Sequence, residues 1–257
     1  MLNISNALIE KLSIWKQDKI DTDSKYKMDV HLVAQNDIFY KKGRQLANQV
    51  YNQVWGTENL IDDNDYGVVI VNQGEVVGNF NLELKKDGKP IKSEKFFGSK
   101  HWECSADVTC DKVAEISGLA IGKDVPSELR EPILMLLVFS NYALGRSLGR
   151  SFAVSVQRKA LNRILTKHLH IPFFRNSNIK EVQGIVPQDN YWQDGEQPAL
   201  CYLDSTNSET TETMNSYLVY LNSIGIQTNF MSRYHPQPTS YAQFRKSSLF
   251  AKQQIAV

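Results

Sequence analysis

The stretch Val113-Ala114-Glu115-Ile116-Ser117-Gly118-Leu119-Ala120-Ile121 constrains this chain more than any other. Its largely apolar run reads as a buried strand, and that strand carries one carboxylate. A carboxylate among apolar neighbours must find partners or be put to chemical use. A polar connection follows, Gly122 to Arg130, and then an apolar helix signal from Pro132 to Leu148. This order leaves a helix N-terminus just beyond the strand, where a phosphate can sit. Carboxylate and phosphate seat together suggest transfer chemistry on a phosphate-bearing carrier.

The bulk properties leave room for such an enzyme. With 257 residues, 42% hydrophobic and 22% charged, the chain is long enough and apolar enough for a globular core. Its net charge of +1 supplies no global field toward nucleic acid, which is not expected as a partner. The N-terminus lacks the basic-then-apolar layout of a signal peptide, and no apolar run reaches the ~18 residues of a spanning helix. A cytoplasmic protein with no transmembrane segment is the expectation. Cys104, Cys110 and Cys201 are odd in number and have no metal-type spacing, so free thiols are expected. His168 and His170 stand close together but without further ligands in order, and no metal is expected.

Periodicity predicts the remaining elements. A helix is expected over 4–16, a strand over 27–35, and a helix from the Asn36-Asp37 cap to about 54. Tyr66–Val71 and Val76–Leu84 form a hairpin about Asn72-Gln73-Gly74-Glu75, and Lys85–Pro90 is a second turn. Residues 91–112 resist assignment, with Lys95-Phe96-Phe97 as a short strand. Pro132 suits the first turn of the long helix, which Gly149 closes. A strand over 151–156 and a helix over 158–168 come next. Residues 171–174 and 182–186 read as strand-like, 199–203 as a strand, and a helix starts within 205–213. The tail after Gly225, with Pro236 and Pro238, either wraps the domain or stays partly mobile. The class is mixed α/β in one domain, with an extension at each end.

This layout resembles the GNAT acyltransferases. Within them it is most similar to the acyl-homoserine-lactone (autoinducer) synthases and the long-chain N-acyl amino acid synthases. Their fourth strand carries Glu-x-Ser-Arg, and this chain has Glu115-Ile116-Ser117-Gly118. Their Leu-x-Arg-Ile-Leu helix is matched by Leu161-Asn162-Arg163-Ile164-Leu165, after Gly149 and a strand. An acidic loop before a hairpin ending in Val-Gly is matched by Asp62–Asp65 through Val77-Gly78. The likeness covers about residues 38–204. It implies a twisted, mostly antiparallel sheet flanked by helices. The implied units are an N-terminal helical extension 1–26, the acyltransferase domain 27–204, and a C-terminal helix and tail 205–257 packing on the same domain.

The resemblance also implies a chemistry. A fatty acyl group would pass from a phosphopantetheine thioester, on acyl carrier protein or CoA, to the amine of an amino-acid-like small molecule. No permanently bound cofactor is implied; the acyl-ACP or acyl-CoA is a co-substrate. Glu115 would be the base and Ser117 a substrate hydrogen-bonding group. Leu119, Ala120, Ile121, Gly122, Lys123 and Arg130 would hold the acyl donor, and Trp55, Asp62 and Asp65 the acceptor. Tyr142, Phe152 and Phe173 are candidates for an acyl tunnel, and Arg146, Arg150, Arg158, Lys159 and Arg163 for docking an acidic carrier. Structural roles compete at each position; for Glu115 the competitor is a carboxylate paired with Lys or Arg.

Two departures weigh against lactone synthesis. Gly118 stands where those relatives have Arg, and Asn79 and Asn81 stand near a second family arginine. The segment 122–130 also lacks the glycine spacing of acetyl-CoA users. An acetyl-CoA-dependent acetyltransferase acting on another amine and a GNAT-shaped binding module without catalysis are the alternatives.

Overall fold

The computed structural model describes residues 26–234 apart from 59, 63, 104–107, 176–178 and 180–181. The helix expected over 4–16 and the prolines at 236 and 238 lie outside the described residues. In chain order the elements are β1 (Tyr26–Ala34), α1 (Ile38–Trp55), β2 (Tyr66–Asn72), β3 (Glu75–Leu84), α2 (Lys92–Phe97), β4 (Val113–Ile121), α3 (Ser127–Ser147), β5 (Phe152–Gln157), α4 (Lys159–Arg163), α5 (Asn190–Gln193), β6 (Ala199–Asp204), α6 (Ser208–Ser223) and β7 (Ile226–Arg233). α4 runs on as a π turn over Ile164–His168.

The strands form one seven-stranded sheet in the order β6-β5-β4-β3-β2-β1-β7. Only the β4–β5 and β1–β7 ladders are parallel. β4, α3 and β5 form the crossover that such a parallel pair requires. One face of the sheet presents Met28, Val30, Val68, Ile70, Phe80, Leu82, Ala114 and Ile116 to the buried sides of α3 and α6. This is the main core, and the near-continuous apolar sequence of α3 suits a helix with little exposed surface. The other face carries polar residues in its middle, described below, and is covered by α1 and α2.

Four sequence expectations are corrected. The long helix starts at Ser127, so Pro132 lies inside it rather than in the first turn. Pro126 occupies the cap position in extended conformation, and buried Leu129 draws the first turn onto the core. Pro132 then forgoes one helical hydrogen bond, toward Glu128 at the exposed start. Lys95-Phe96-Phe97 ends a helix, not a strand, because its own Glu94 and Glu115 of β4 collect the donors that fix α2. Residues 171–174 and 182–186 form no strand; Phe174 makes one isolated bridge to Tyr202. The chain after Gly225 first forms β7, which pairs in parallel with β1, Tyr26 opposite Ile226 through Val33 opposite Arg233; residues 235–257 lie outside the described residues. The β7 sequence, Ile-Gln-Thr-Asn-Phe-Met-Ser-Arg, is a polar edge strand with too weak an alternation to be read locally.

Gly43 sets how closely α1 approaches the sheet. A Cβ there would lie 2.4 Å from Asn79 Oδ1 and 2.7 Å from Val69 Cγ2. Gly43→Ala should therefore destabilise the fold by about 1–3 kcal/mol through overpacking, despite the better helix propensity of alanine. A lower urea midpoint with unchanged m-value would show this; an equal or higher midpoint would contradict the close approach.

Candidate functional site

The covered polar face of the sheet is built by strand alternation. Asn79, Asn81 and Glu83 of β3 and Glu115 and Ser117 of β4 point to the side opposite the main core. All but Ser117 are buried. Glu83 and Glu115 are directly opposite each other across the ladder. Like charges so placed repel, and burial makes this worse, so donors must be supplied.

α2 supplies them. The Ser93 amide donates to Glu115 Oε2 at 2.8 Å and the Ser93 hydroxyl donates to the same oxygen at 2.6 Å. Lys92 Nζ reaches Asn64 Oδ1 at 2.7 Å and Ser117 Oγ at 3.1 Å, and lies 3.7 Å from Glu83 Oε2. Ser117 also donates to Asn64 Oδ1 at 2.9 Å. α2 is itself pinned by Glu94. That carboxylate accepts from Lys85 Nζ at 2.7 Å, the Ile91 amide at 2.9 Å, the Lys100 amide at 2.8 Å and Trp102 Nε1 at 3.0 Å. Burial alone would raise Glu94, but Lys85 and the amides outweigh it and hold its carboxyl below the ordinary value. For Glu115 burial wins: its carboxyl is raised, although Lys92 and the two Ser93 donors oppose the shift.

Behind Ser93 lies His101. Its Nε2 is 2.9 Å from Ser93 Oγ and its Nδ1 is 3.2 Å from the Tyr202 hydroxyl. Burial pushes the imidazole down to about 4, so His101 is neutral at neutral pH.

The arginine missing after Ser117 has a physical counterpart. Gly118 sits in a bulge of β4 with φ of 62°. A Cβ there would lie 2.5 Å from Asn81 Oδ1 and 3.0 Å from Arg44 Nη1. Arg44 of α1 fills the space over Gly118 with its own guanidinium. It donates to Asn81 Oδ1 at 3.1 Å and to the Leu60 and Ile61 carbonyls at 3.1 and 3.4 Å.

β4 and β5 pair only from Val113–Phe152 to Ile116–Ser155. Beyond that point they diverge, and a cavity of about 550 Å³ opens against the gap. Its walls are Ile116–Leu119 of β4, Val156 and Gln157 at the end of β5 with Arg158 after it, the C-terminal half of α1, Leu161 and Ile164, and Asp189, Tyr191 and Trp192. Glu115, Ser117, Leu119 and Trp55 of the sequence candidates line it together. The Trp55 ring carries the Arg158 guanidinium 4.9 Å from its centroid and meets Tyr191 edge-on at 5.6 Å.

The other candidates lie elsewhere. Asp62 accepts from Tyr40 and Asn64 and lines a separate polar hollow outside α1. Asp65 accepts the Leu84 amide at 2.8 Å and pairs with Lys86. Ala120 and Ile121 pair with Asn79 and Gly78 of β3, and the Gly122 amide donates to Val77. Arg130 ties down its own loop through the Lys123 and Val125 carbonyls, and Lys123 is exposed. Tyr142, Phe152 and Phe173 do come together, around a second cavity of about 40 Å³, room for about one water. Arg146, Arg150 and Arg158 all donate to backbone carbonyls within the chain.

Arg44, Lys92, Ser93 and His101 were not found by sequence reasoning. The one local signal was Glu94 three residues after Ile91, half of a capping box. Among the described residues no group of His, Cys, Asp and Glu could hold a metal, and no helix is long and apolar enough to cross a membrane. Cys110 and Cys201 are free thiols; Cys104 lies outside the described residues.

The His101 environment predicts a pH effect. The unfolded imidazole protonates near 6.5 and the folded one near 4. The unfolded state therefore binds more protons between these values, and stability falls as pH falls from 6.5 to about 4, by about 3 kcal/mol. Relative to the wild type, His101→Asn should lose that much of the pH dependence in urea midpoints measured across this window. Parallel curves for the two proteins would contradict the assignment.

No family model and no curated protein matches this sequence. Solved structures do. The acyl-homoserine-lactone synthase LasI aligns with a TM-score of 0.50 and 15% identity, over 73% of this chain and 94% of its own. The CoA-dependent acyl-homoserine lactone synthase BjaI, with MTA, aligns at 0.52 and 11%, over 84% and 98%. BjaI with SAM and isopentyl-CoA aligns at 0.51 and 11%, with the same coverage. The fold of this chain is that of the acyl-homoserine-lactone synthases, a GNAT-like mixed sheet flanked by helices.

Proposed function

We propose that this chain is an N-acyltransferase that moves a fatty acyl group from a phosphopantetheine thioester, on acyl carrier protein or CoA, to the amine of a small amino-acid-like molecule. The observation that carries this reading is the divergence of β4 from β5 with the 550 Å³ cavity against it and Glu115 in its wall. A gap between two strands accepts an extended pantetheine arm, and a largely apolar space of this volume suits an alkyl chain better than an acetyl group. That BjaI is seen with isopentyl-CoA supports a thioester donor.

In this reaction the acceptor nitrogen attacks the thioester carbonyl, the new N–C bond forms and the C–S bond breaks. The proton leaving nitrogen is taken by Glu115, and the thiolate leaves and is protonated in turn. A carboxyl raised by burial is better matched to this work than a solvated one. Arg44 and Lys92 keep positive charge near the cavity wall, where the carbonyl oxygen becomes negative. Trp55 and Ser117 are the remaining acceptor-side groups of the same cavity.

The second reading, a binding module without catalysis, is favoured by one observation: Glu115 Oε2 already accepts both Ser93 donors. The two readings part on product formation. Mass spectrometry of reactions containing octanoyl-CoA or octanoyl-ACP and mixed amino acids should find an N-octanoyl product. Glu115→Gln should lower kcat/KM by about 10²–10⁴. The acid limb of the wild-type profile should lie above pH 4.5, because the base must be ionised and its carboxyl is raised. Product with acetyl-CoA alone would sink the fatty-acyl reading; unchanged turnover in Glu115→Gln would sink the base.

A further inference from the structure

We propose that Ser93, His101 and Tyr202 form a hydrogen-bond chain that serves Glu115 in both of its protonation states, with the His101 tautomer changing when Glu115 takes up a proton. The four groups are buried, with exposures of 0% for Ser93 and Tyr202, 3% for Glu115 and 6% for His101. They are linked in series: Glu115 Oε2 to Ser93 Oγ at 2.6 Å, Ser93 Oγ to His101 Nε2 at 2.9 Å, and His101 Nδ1 to the Tyr202 hydroxyl at 3.2 Å. The Tyr202 hydroxyl also reaches the His101 carbonyl oxygen at 3.1 Å. That last contact gives the chain an acceptor at its inner end.

Donor and acceptor counting allows two arrangements. With Glu115 ionised, Ser93 donates its hydroxyl proton to the carboxylate. Its oxygen then accepts from His101 Nε2–H, and Nδ1 accepts from the Tyr202 hydroxyl. With Glu115 protonated, the carboxyl donates to Ser93 Oγ, so the Ser93 hydroxyl turns to Nε2. Nε2 must now be the acceptor, Nδ1 carries the proton and donates to Tyr202, and the Tyr202 hydroxyl turns to the His101 carbonyl. One proton is gained in all, at Glu115. The imidazole loses one at Nε2, gains one at Nδ1 and stays neutral. In both arrangements every member has a partner, which matters because an unpaired buried group is disfavoured.

The charged groups around the chain are fixed by other bonds. Glu115 faces Glu83 across the ladder, and Lys92 and Glu94 from α2. His101 faces Glu94 and Lys85, which pair with each other at 2.7 Å. A burial that holds the imidazole neutral down to about pH 4 leaves tautomer exchange as its response above that pH. Ser93 and His101 are thus positioning residues for Glu115: they present a donor to the ionised base and an acceptor to its conjugate acid.

The test is an NMR titration of the full chain labelled with ¹⁵N-histidine and carboxyl-¹³C-glutamate. The Glu115 carboxyl should titrate with a midpoint above 4.5, and the His101 proton should pass from Nε2 to Nδ1 at that same midpoint. In Ser93→Ala the tautomer should no longer follow Glu115, and the Glu115 midpoint should rise, since its anion has lost a donor. Ser93→Thr, which keeps the hydroxyl, should restore the coupling. A His101 that holds one tautomer through the Glu115 midpoint would overturn the proposal, as would an exchange that persists unchanged in Ser93→Ala. The use of the chain in proton transfer rests on Glu115 being the base of the proposed reaction. The titration needs no acyl donor, so its failure and the failure of that reaction are separate results.

Discussion

Two carboxylates, Glu83 and Glu115, stand side by side on a covered face of the sheet, and the surroundings of the site answer their need for positive charge and donors. Lys92 lies against Glu83 and reaches Ser117, while the Ser93 amide and hydroxyl hold Glu115. Both come from α2, a helix of six residues that no intrinsic propensity would sustain alone. Glu94 keeps it folded by collecting four donors. The buried pair of Lys85 and Glu94 thus acts at a distance: it holds the helix that holds Glu115.

A second constraint is the short β4–β5 ladder. Pairing stops after Ile116 and Ser155, and the bulge at Gly118 turns the end of β4 beneath Arg44. The sheet is continuous at the level of Glu115 and open beyond it. One strand thereby carries the carboxylate and, two to four residues on, the wall of the cavity. In the proposed reaction this opening takes the extended thioester arm, with its reactive end at Glu115 in the cavity wall.

Much of the frame was legible because it is written in local periods. β1, α1, the β2–β3 hairpin, β4, β5, β6 and α6 follow alternation, helical spacing and caps such as Asp37, whose side chain accepts the Phe39 amide. α2 and β7 were not legible, for different reasons. α2 is fixed by the donors that Glu94 gathers from Lys85, Lys100 and Trp102 and by the contact of Ser93 with distant Glu115, so its own residues show no helical face. β7 is an edge strand with only Ile226 fully buried, so alternation is faint. The site divided in the same way. Glu115, Ser117 and Leu119 were marked by their strand, and Trp55 by its helix end. Arg44, Ser93 and His101 meet them only through tertiary folding. Asp62, Asp65 and Arg130 looked available in sequence but satisfy neighbouring backbone or side-chain groups, and Lys123 is exposed outside the cavity lining.

The central claim is that the gap between β4 and β5 is the acyl-donor site. A crystal structure of the full chain with an S-octyl pantetheine thioether tests it directly. The account predicts the pantetheine arm between residues 117–119 and 156–158, with the sulfur beside Glu115 and the octyl chain in the 550 Å³ cavity. Density for the compound in the polar hollow outside α1, or none between the two strands, would contradict it.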